Sequence, residues 1–221
     1  MKCFHFYPAL LLLAISSHAQ DSTSLAFYKH DVGFNTSFIL SGIFDSDNNA
    51  PVDLLFKQQK SATYANRLGI SLGYHTLNGS VVSGFQIDEI RLNLALAVGK
   101  EWQQVLSSHW LWYGGGDAIP QFRYFSQYAE SDNIPIRNNS STTFGVSARP
   151  FLGIRFQIND RLYVSTEASL SLGFNLHRGK DIVYRDDNGD GNMEEEKNDI
   201  DSFETFIQAT PASGIYLFYS F

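Results

Sequence analysis

From His30 to the last residue, apolar side chains recur at every second position. Leu68, Ile70, Leu72 and Tyr74 fall on one face, against Arg67, Gly69, Ser71, Gly73 and His75 on the other. Leu92, Leu94, Leu96 and Val98 repeat this opposite Arg91, Asn93, Ala95, Ala97 and Gly99. Between Thr143 and Phe156 the apolar set is Phe144, Val146, Ala148, Leu152, Ile154 and Phe156, and its opposite face carries Gly145, Ser147, Arg149, Gly153 and Arg155. Val164, Ala168, Leu170, Leu172, Phe174 and Leu176 continue the pattern, as do Ile215, Leu217, Tyr219 and Phe221. Weaker alternation covers Val32 to Leu40, Val52 to Phe56 and Trp110 to Tyr124. A period of two is the signature of β-strands with one face apolar. Eight strands are expected, in an all-β fold. After residue 20 no segment approaches the run of about 20 apolar residues that a spanning helix needs.

Residues 1 to 19 read differently. A basic start at Lys2, an apolar stretch from Ala9 to Ile15, and the small residues Ser17 and Ala19 before a cut match a secretory signal peptide. Residues 20–29 are then a short N-terminal segment and 30–221 a single barrel domain. Cys3 lies ahead of the apolar core, so the mature chain carries no cysteine and its fold must be held without disulfides. Loss of Lys2 takes the formal charge from −7 to −8, and an acidic chain of this kind excludes a nucleic-acid partner.

The links between strands alternate in length. Short ones are expected near Gln59–Thr63, Glu101–Ser108 and Asn159–Arg161. Longer or more polar ones are expected near Asp45–Ala50, Leu77–Gly84, Ala129–Thr142 and Gly179–Ser202. Such alternation fits a closed antiparallel up-and-down transmembrane barrel, with turns on one side and loops on the other, and an even strand number places both termini at the turn side. The polar face carries Asp53, Lys57, Arg67, Glu89, Arg91, Asp117, Arg123, Arg149, Arg155, Glu167 and Glu204, six basic groups against five acidic. Near-balance of sign points to a paired network inside a narrow barrel. The opposite arrangement, a secreted soluble barrel or sandwich with this face turned to water, uses the same alternation.

Ile215, Leu217, Tyr219 and the terminal Phe221 resemble the last strand by which outer-membrane barrels are recognised for assembly. With the alternation over residues 30 to 221, the chain resembles the small eight-stranded outer-membrane barrels of the outer-membrane protein A and X type. The resemblance implies a bacterial outer-membrane location, contact with outer-membrane lipids, and insertion by the barrel-assembly machinery through the C-terminal strand. It also implies aromatic girdles, for which Trp110, Trp112, Tyr124, Tyr219 and Phe221 are suited. Larger members add a peptidoglycan-binding domain after the barrel, an activity not expected with Phe221 as the last residue. Such a pattern specifies architecture rather than function.

Gly179 to Ser202 holds nine acidic residues and three basic ones, a net of −6. Within it Asp186, Asn188, Asp190, Gly191 and Asn192 match the opening of a calcium loop, in which oxygen ligands at alternate positions curl around a hard cation. Glu194 takes the ninth position, but the twelfth is Lys197 where a bidentate carboxylate is required. The loop thus reads either as a weak calcium site, with Asp186, Asn188, Asp190, Asn192 and Glu194 as ligands, or as a solvated acidic loop. No other cofactor is expected.

Catalysis has few candidates. His75 and His177 lie near strand ends on the polar face, where each could in principle pair with a hydroxyl and an acid. No His-Glu-x-x-His motif or cysteine pair accompanies them. The expectation is a non-catalytic surface protein acting through its loops, with a minor channel and a lipid-modifying enzyme as alternatives.

Overall fold

The computed structural model describes residues 28–36, 52–82, 84–132, 134–185, 193–211 and 214–221. The signal segment, the Asp45–Ala50 link and residues 186–192 lie outside them. Nine strand segments follow in chain order: β1 (His30–Asn35), β2 (Val52–Ser61), β3 (Tyr64–Val82), β4 (Phe85–Val105), β5 (Trp110–Ser131), β6 (Ile134–Gln157), β7 (Leu162–Arg185), β8 (Glu194–Thr210) and β9 (Ile215–Ser220). Each pairs antiparallel with the next from β1 to β7, and β9 joins β7 to β1, so the sheet closes into a ring. The fold class is a closed up-and-down β-barrel.

Nine segments make eight barrel strands. Leu162 to Thr166 of β7 face β9, while Ser169 to Arg185 face β8. Thr166 lies opposite Ile215 and Ser169 opposite Thr210, so β8 and β9 are two halves of one strand along β7, their registers offset by two residues. Gly214, at the start of β9, has φ 128°, where a side chain would be strained. An even insertion preserves the parity of side chains, which keeps Tyr216 and Phe218 inside with Glu204 and Phe206.

Three links expected as loops are instead strand. Leu77–Gly84, Ala129–Thr142 and most of Gly179–Ser202 continue β3 to β8 beyond the apolar region and turn tightly at Gly84 and Asp132. They were hidden because polar side chains occupy both faces there, which removes the alternation while leaving the backbone ladder intact. Arg185 pairs with Glu194 and Lys180 with Asp199 along this extension. The short links are tight turns, but shorter than expected, because β2 continues to Ser61 and β4 to Val105. They and both ends of the barrel chain share one end, here the turn end; the other is the hairpin end.

Outward positions are apolar over a common height. On β4 they run from Trp102 through Val98, Leu96, Leu94 and Leu92 to Ile90, then change to Asp88; near the lower edge the run is interrupted by a polar row of Gln58, Asn66 and Lys100 on β2, β3 and β4. On the other strands the change follows Tyr74, Tyr124, Phe144 and Leu176, where the next outward residues are Thr76, Ser126, Thr142 and Arg178. From Trp102 to Ile90, twelve residue steps of about 3.3 Å climb roughly 30 Å on a strand tilted by about 40°. Trp102, Trp110, Trp112 and Tyr219 mark the lower edge of this belt, and Tyr74, Tyr124 and Phe144 the upper. These large side chains are exposed, inverting the usual soluble distribution.

Candidate functional site: a sealed lumen below a polar cup

At the turn end the inward positions carry large or charged side chains. Lys57 on β2, Arg67 on β3, Glu101 on β4, Asp117 on β5 and Glu167 on β7 converge there, each with at most 2% of its side chain exposed. Lys57 Nζ lies 2.8 Å from Glu101 Oε2. Arg67 Nη1 donates to Glu101 Oε2 at 2.8 Å and to Glu167 Oε1 at 2.9 Å, while Nη2 donates to Glu167 Oε2 at 3.1 Å. Arg67 Nε stands 3.5 Å from Asp117 Oδ1, and the second oxygen of Asp117 accepts from Arg149 Nη2 at 2.8 Å. Gln103 and Tyr113 complete the shell, donating to Glu101 at 2.7 Å and to Glu167 at 3.1 Å. Three cations face three carboxylates. A buried charge persists only when paired and hydrogen-bonded in this way.

Aromatic rings fill the space around these charges. Lys57 Nζ lies 4.5 Å from the centre of the Tyr113 ring and 4.6 Å from that of Phe218. The Arg67 guanidinium packs 3.8 Å over Phe151, and that of Arg155 3.5 Å over Tyr163. Tyr163 stacks on Phe218 at 4.6 Å and donates its hydroxyl to Asp31 at 3.1 Å. Desolvated cation–π contacts of this kind are worth about 2 kcal/mol each. Glycines on the wall make room: a Cβ at Gly33 would lie 2.3 Å from the Phe218 ring, and one at Gly153 2.3 Å from Tyr113. An eight-stranded barrel is narrow enough for side chains to fill, and at this level they do.

Toward the hairpin end the lumen opens into a polar cup of about 620 Å³, lined by Asn93, Gln121, Arg123, Arg149, Asn175 and Glu204 among others. Asn175 lies 2.8 Å from Gln121. His177 bridges three strands at the rim: Nδ1 is 2.9 Å from Thr143 Oγ1, and Nε2 is 3.1 Å from Glu204 Oε2. Higher still, on the extension, Arg137 makes a two-pronged pair with Asp181, both bonds at 2.8 Å. The Arg137 hydrogen bonds hold the Asp181 carboxyl below its ordinary range.

Of the charged residues read from the sequence as interior, Lys57, Arg67, Glu89, Asp117, Arg155 and Glu167 are buried in the lumen. Asp53 accepts from Asn35 at 3.3 Å, Arg91 pairs with Glu89, and Arg123, Arg149 and Glu204 line the cup. Glu101 was missed, because it falls in a segment read as a short link although β4 continues to Val105. The rings suited to girdles, Trp110, Trp112, Tyr124, Tyr219 and Phe221, are exposed, whereas Tyr113, Phe151, Tyr163, Tyr216 and Phe218, which were assigned no role, are inside. Their parity shows it, since Tyr113 alternates with Asp117 and Phe151 with Arg149 and Arg155. Of the residues expected as calcium ligands, Asp186, Asn188, Asp190 and Asn192 lie outside the described residues. Glu194 opens β8, exposed and opposite Arg185. His75 sits on the inward side of β3, opposite Arg91.

No protein-family model matches the chain, and no curated protein sequence matches it either. Among solved structures the chain is similar to CarO of Acinetobacter baumannii, with 11% identity and a TM-score of 0.38 over 90% of this chain and 100% of that one.

Proposed function

We propose that this chain is an integral outer-membrane β-barrel of a Gram-negative bacterium, non-catalytic, closed to bulk diffusion, and acting at the cell surface through its hairpin end. The inversion of the two faces carries the reading. A belt roughly 30 Å tall is apolar on the outside apart from one polar row, Gln58, Asn66 and Lys100, near its lower edge, while Lys57, Arg67, Glu101, Asp117 and Glu167 are sealed inside. Water would leave that belt without a partner, whereas a bilayer of similar thickness covers it. The secreted soluble barrel is disfavoured by the same inversion. Heat-modifiable migration in detergent gels and recovery in the outer-membrane fraction are the expected results; a protein soluble in the periplasm without detergent rejects the proposal.

The ion network speaks against the channel alternative, because charges and rings occupy the lumen at one level. Planar bilayers are expected to show no sustained conductance. The enzyme alternative is disfavoured by Thr143, the hydroxyl within reach of His177, which is 7% exposed and offers little access for attack on a substrate. The lipid A mass of expressing cells is accordingly expected to be the same with the wild type, His75→Ala and His177→Ala. The partners in this reading are outer-membrane lipids and the barrel-assembly machinery, which β9 and Phe221 would engage. A weak calcium site at residues 186–194 belongs to the same proposal. Titration calorimetry is expected to show binding with a dissociation constant on the order of 0.1 to 1 mM, lost when Asp186 and Asp190 are changed to Ala.

A further inference from the structure

On the outer wall near the turn end, the apolar belt is indented. Outward positions that elsewhere carry Leu, Val or Phe are here Gly114, Ala168 and Ala209, and Trp102, Trp112 and Leu170 stand around them. The result is a groove of about 1030 Å³ whose lining is almost wholly carbon. Two backbone features deepen it. Pro150 has no N–H to donate, and the β6–β7 ladder is interrupted between the pairs Ala148–Leu172 and Phe151–Ser169. Beside it, the register of the last barrel strand against β7 shifts by two residues between the pairs Ser169–Thr210 and Thr166–Ile215.

We propose that this groove holds one acyl chain of a membrane phospholipid, bound long enough to be distinct from the exchanging lipid around the barrel. The proposal rests on the membrane reading above, since the groove is continuous with the belt that the bilayer would cover. A concave apolar slot leaves its lining short of contacts unless something flexible enters it. A second barrel presents a convex wall and does not fit. A hydrocarbon chain does fit, and each CH₂ it buries adds favourable transfer energy. Polar competition is slight: the Trp112 indole N–H is already satisfied by Gln104 Oε1 at 3.0 Å.

The test uses the full chain refolded into phosphatidylcholine vesicles whose acyl chains carry bromine, a contact quencher of indole fluorescence. Trp110→Phe leaves Trp102 and Trp112 as the reporters. After transfer to detergent, native mass spectrometry is expected to find one retained phospholipid per barrel, and both indoles are expected to remain quenched. Ala168→Phe with Ala209→Phe, which fills the floor, should lower retention by roughly tenfold or more. Val146→Phe, on the same outer face beyond the groove, should leave it unchanged. Equal retention in wild type and filled variant, no retained lipid, or a dimer mass in place of a lipid adduct overturns the proposal. A chain that floats with vesicles yet keeps no lipid overturns the groove alone, whereas a chain left behind by the vesicles overturns the membrane reading and the groove together.

Discussion

The two ends of this barrel solve the same backbone problem with different side chains. At the turn end the ladder encloses a lumen in which Lys57, Arg67 and three carboxylates are out of reach of water, packed among rings, with Arg149 closing the network from the cup. At the hairpin end the same strands run on past the belt with polar groups on both faces, and their ion pairs are wet. Arg137 and Arg178, for instance, have 49% and 81% of their side chains exposed. Charge pairing therefore has different consequences along one strand. In the lumen a pair cannot be broken without stranding a buried charge, whereas on the extension water replaces whichever partner is lost.

The largest effect should come from Arg67→Met, which removes the cation shared by Glu101, Asp117 and Glu167 while keeping much of its bulk. A loss of about 3–5 kcal/mol is expected, seen as a lower guanidinium midpoint for unfolding from lipid vesicles. A loss below about 1 kcal/mol would show that the lumen is wetted and would erase the contrast between the two ends. Next comes the outer wall. Leu96→Arg places a charge in the middle of the belt and should cost about 2–4 kcal/mol in vesicles. Thr142→Arg, just beyond the belt on β6, should cost close to nothing in the same assay. Equal costs at the two positions would move the boundary drawn between Phe144 and Thr142. At the rim, His177→Ala removes contacts to Thr143 and Glu204 that link β6, β7 and β8. It should cost on the order of 1 kcal/mol, read from the same unfolding curves.

These two ends also differ in how far the sequence revealed them. Where a belt forces one face to be apolar, alternation is strict, so the strand cores, their facing and the buried Lys57, Arg67, Asp117 and Glu167 could be read from parity alone. Beyond the belt nothing selects apolar residues, and Glu194 to Asp201 is strand only because its backbone finds that of β7. The register offset between Thr210 and Ile215 was invisible for a related reason: a two-residue insertion does not disturb parity. Glu101 escaped because Trp102 and Gln104 have different polarities on the same outer face, which made the end of β4 look like a link. The inward rings went unassigned because a hydropathy pattern does not separate a ring that covers a cation from a ring that meets lipid. Position relative to the neighbouring charge separates them, as Phe151 against Arg67 shows.

The smallest predicted effect isolates the wet end. Arg137 bonds Asp181 through two nitrogens, and those bonds depress the Asp181 carboxyl relative to its unfolded value. A carboxylate with a depressed folded value binds fewer protons when folded than when unfolded. Its contribution to stability is therefore complete above the unfolded value, near pH 4, and is lost as pH falls through the lower folded value. Because the pair is exposed to water, the contribution is no more than about 1 kcal/mol. It should appear as local opening of the β6–β7 extension rather than as unfolding of the barrel. Amide exchange followed by NMR in detergent between pH 5 and pH 3 is expected to show protection falling at residues 137–140 and 180–183, while residues 147–155 hold steady. Arg137→Ala should lower protection at the extension at pH 5 and flatten its dependence on pH, leaving the lumen untouched. Opening that spreads from the extension into the Arg67 network would mean that the two ends unfold as one unit, and the contrast between a sealed half and a wet half would then describe composition without describing stability.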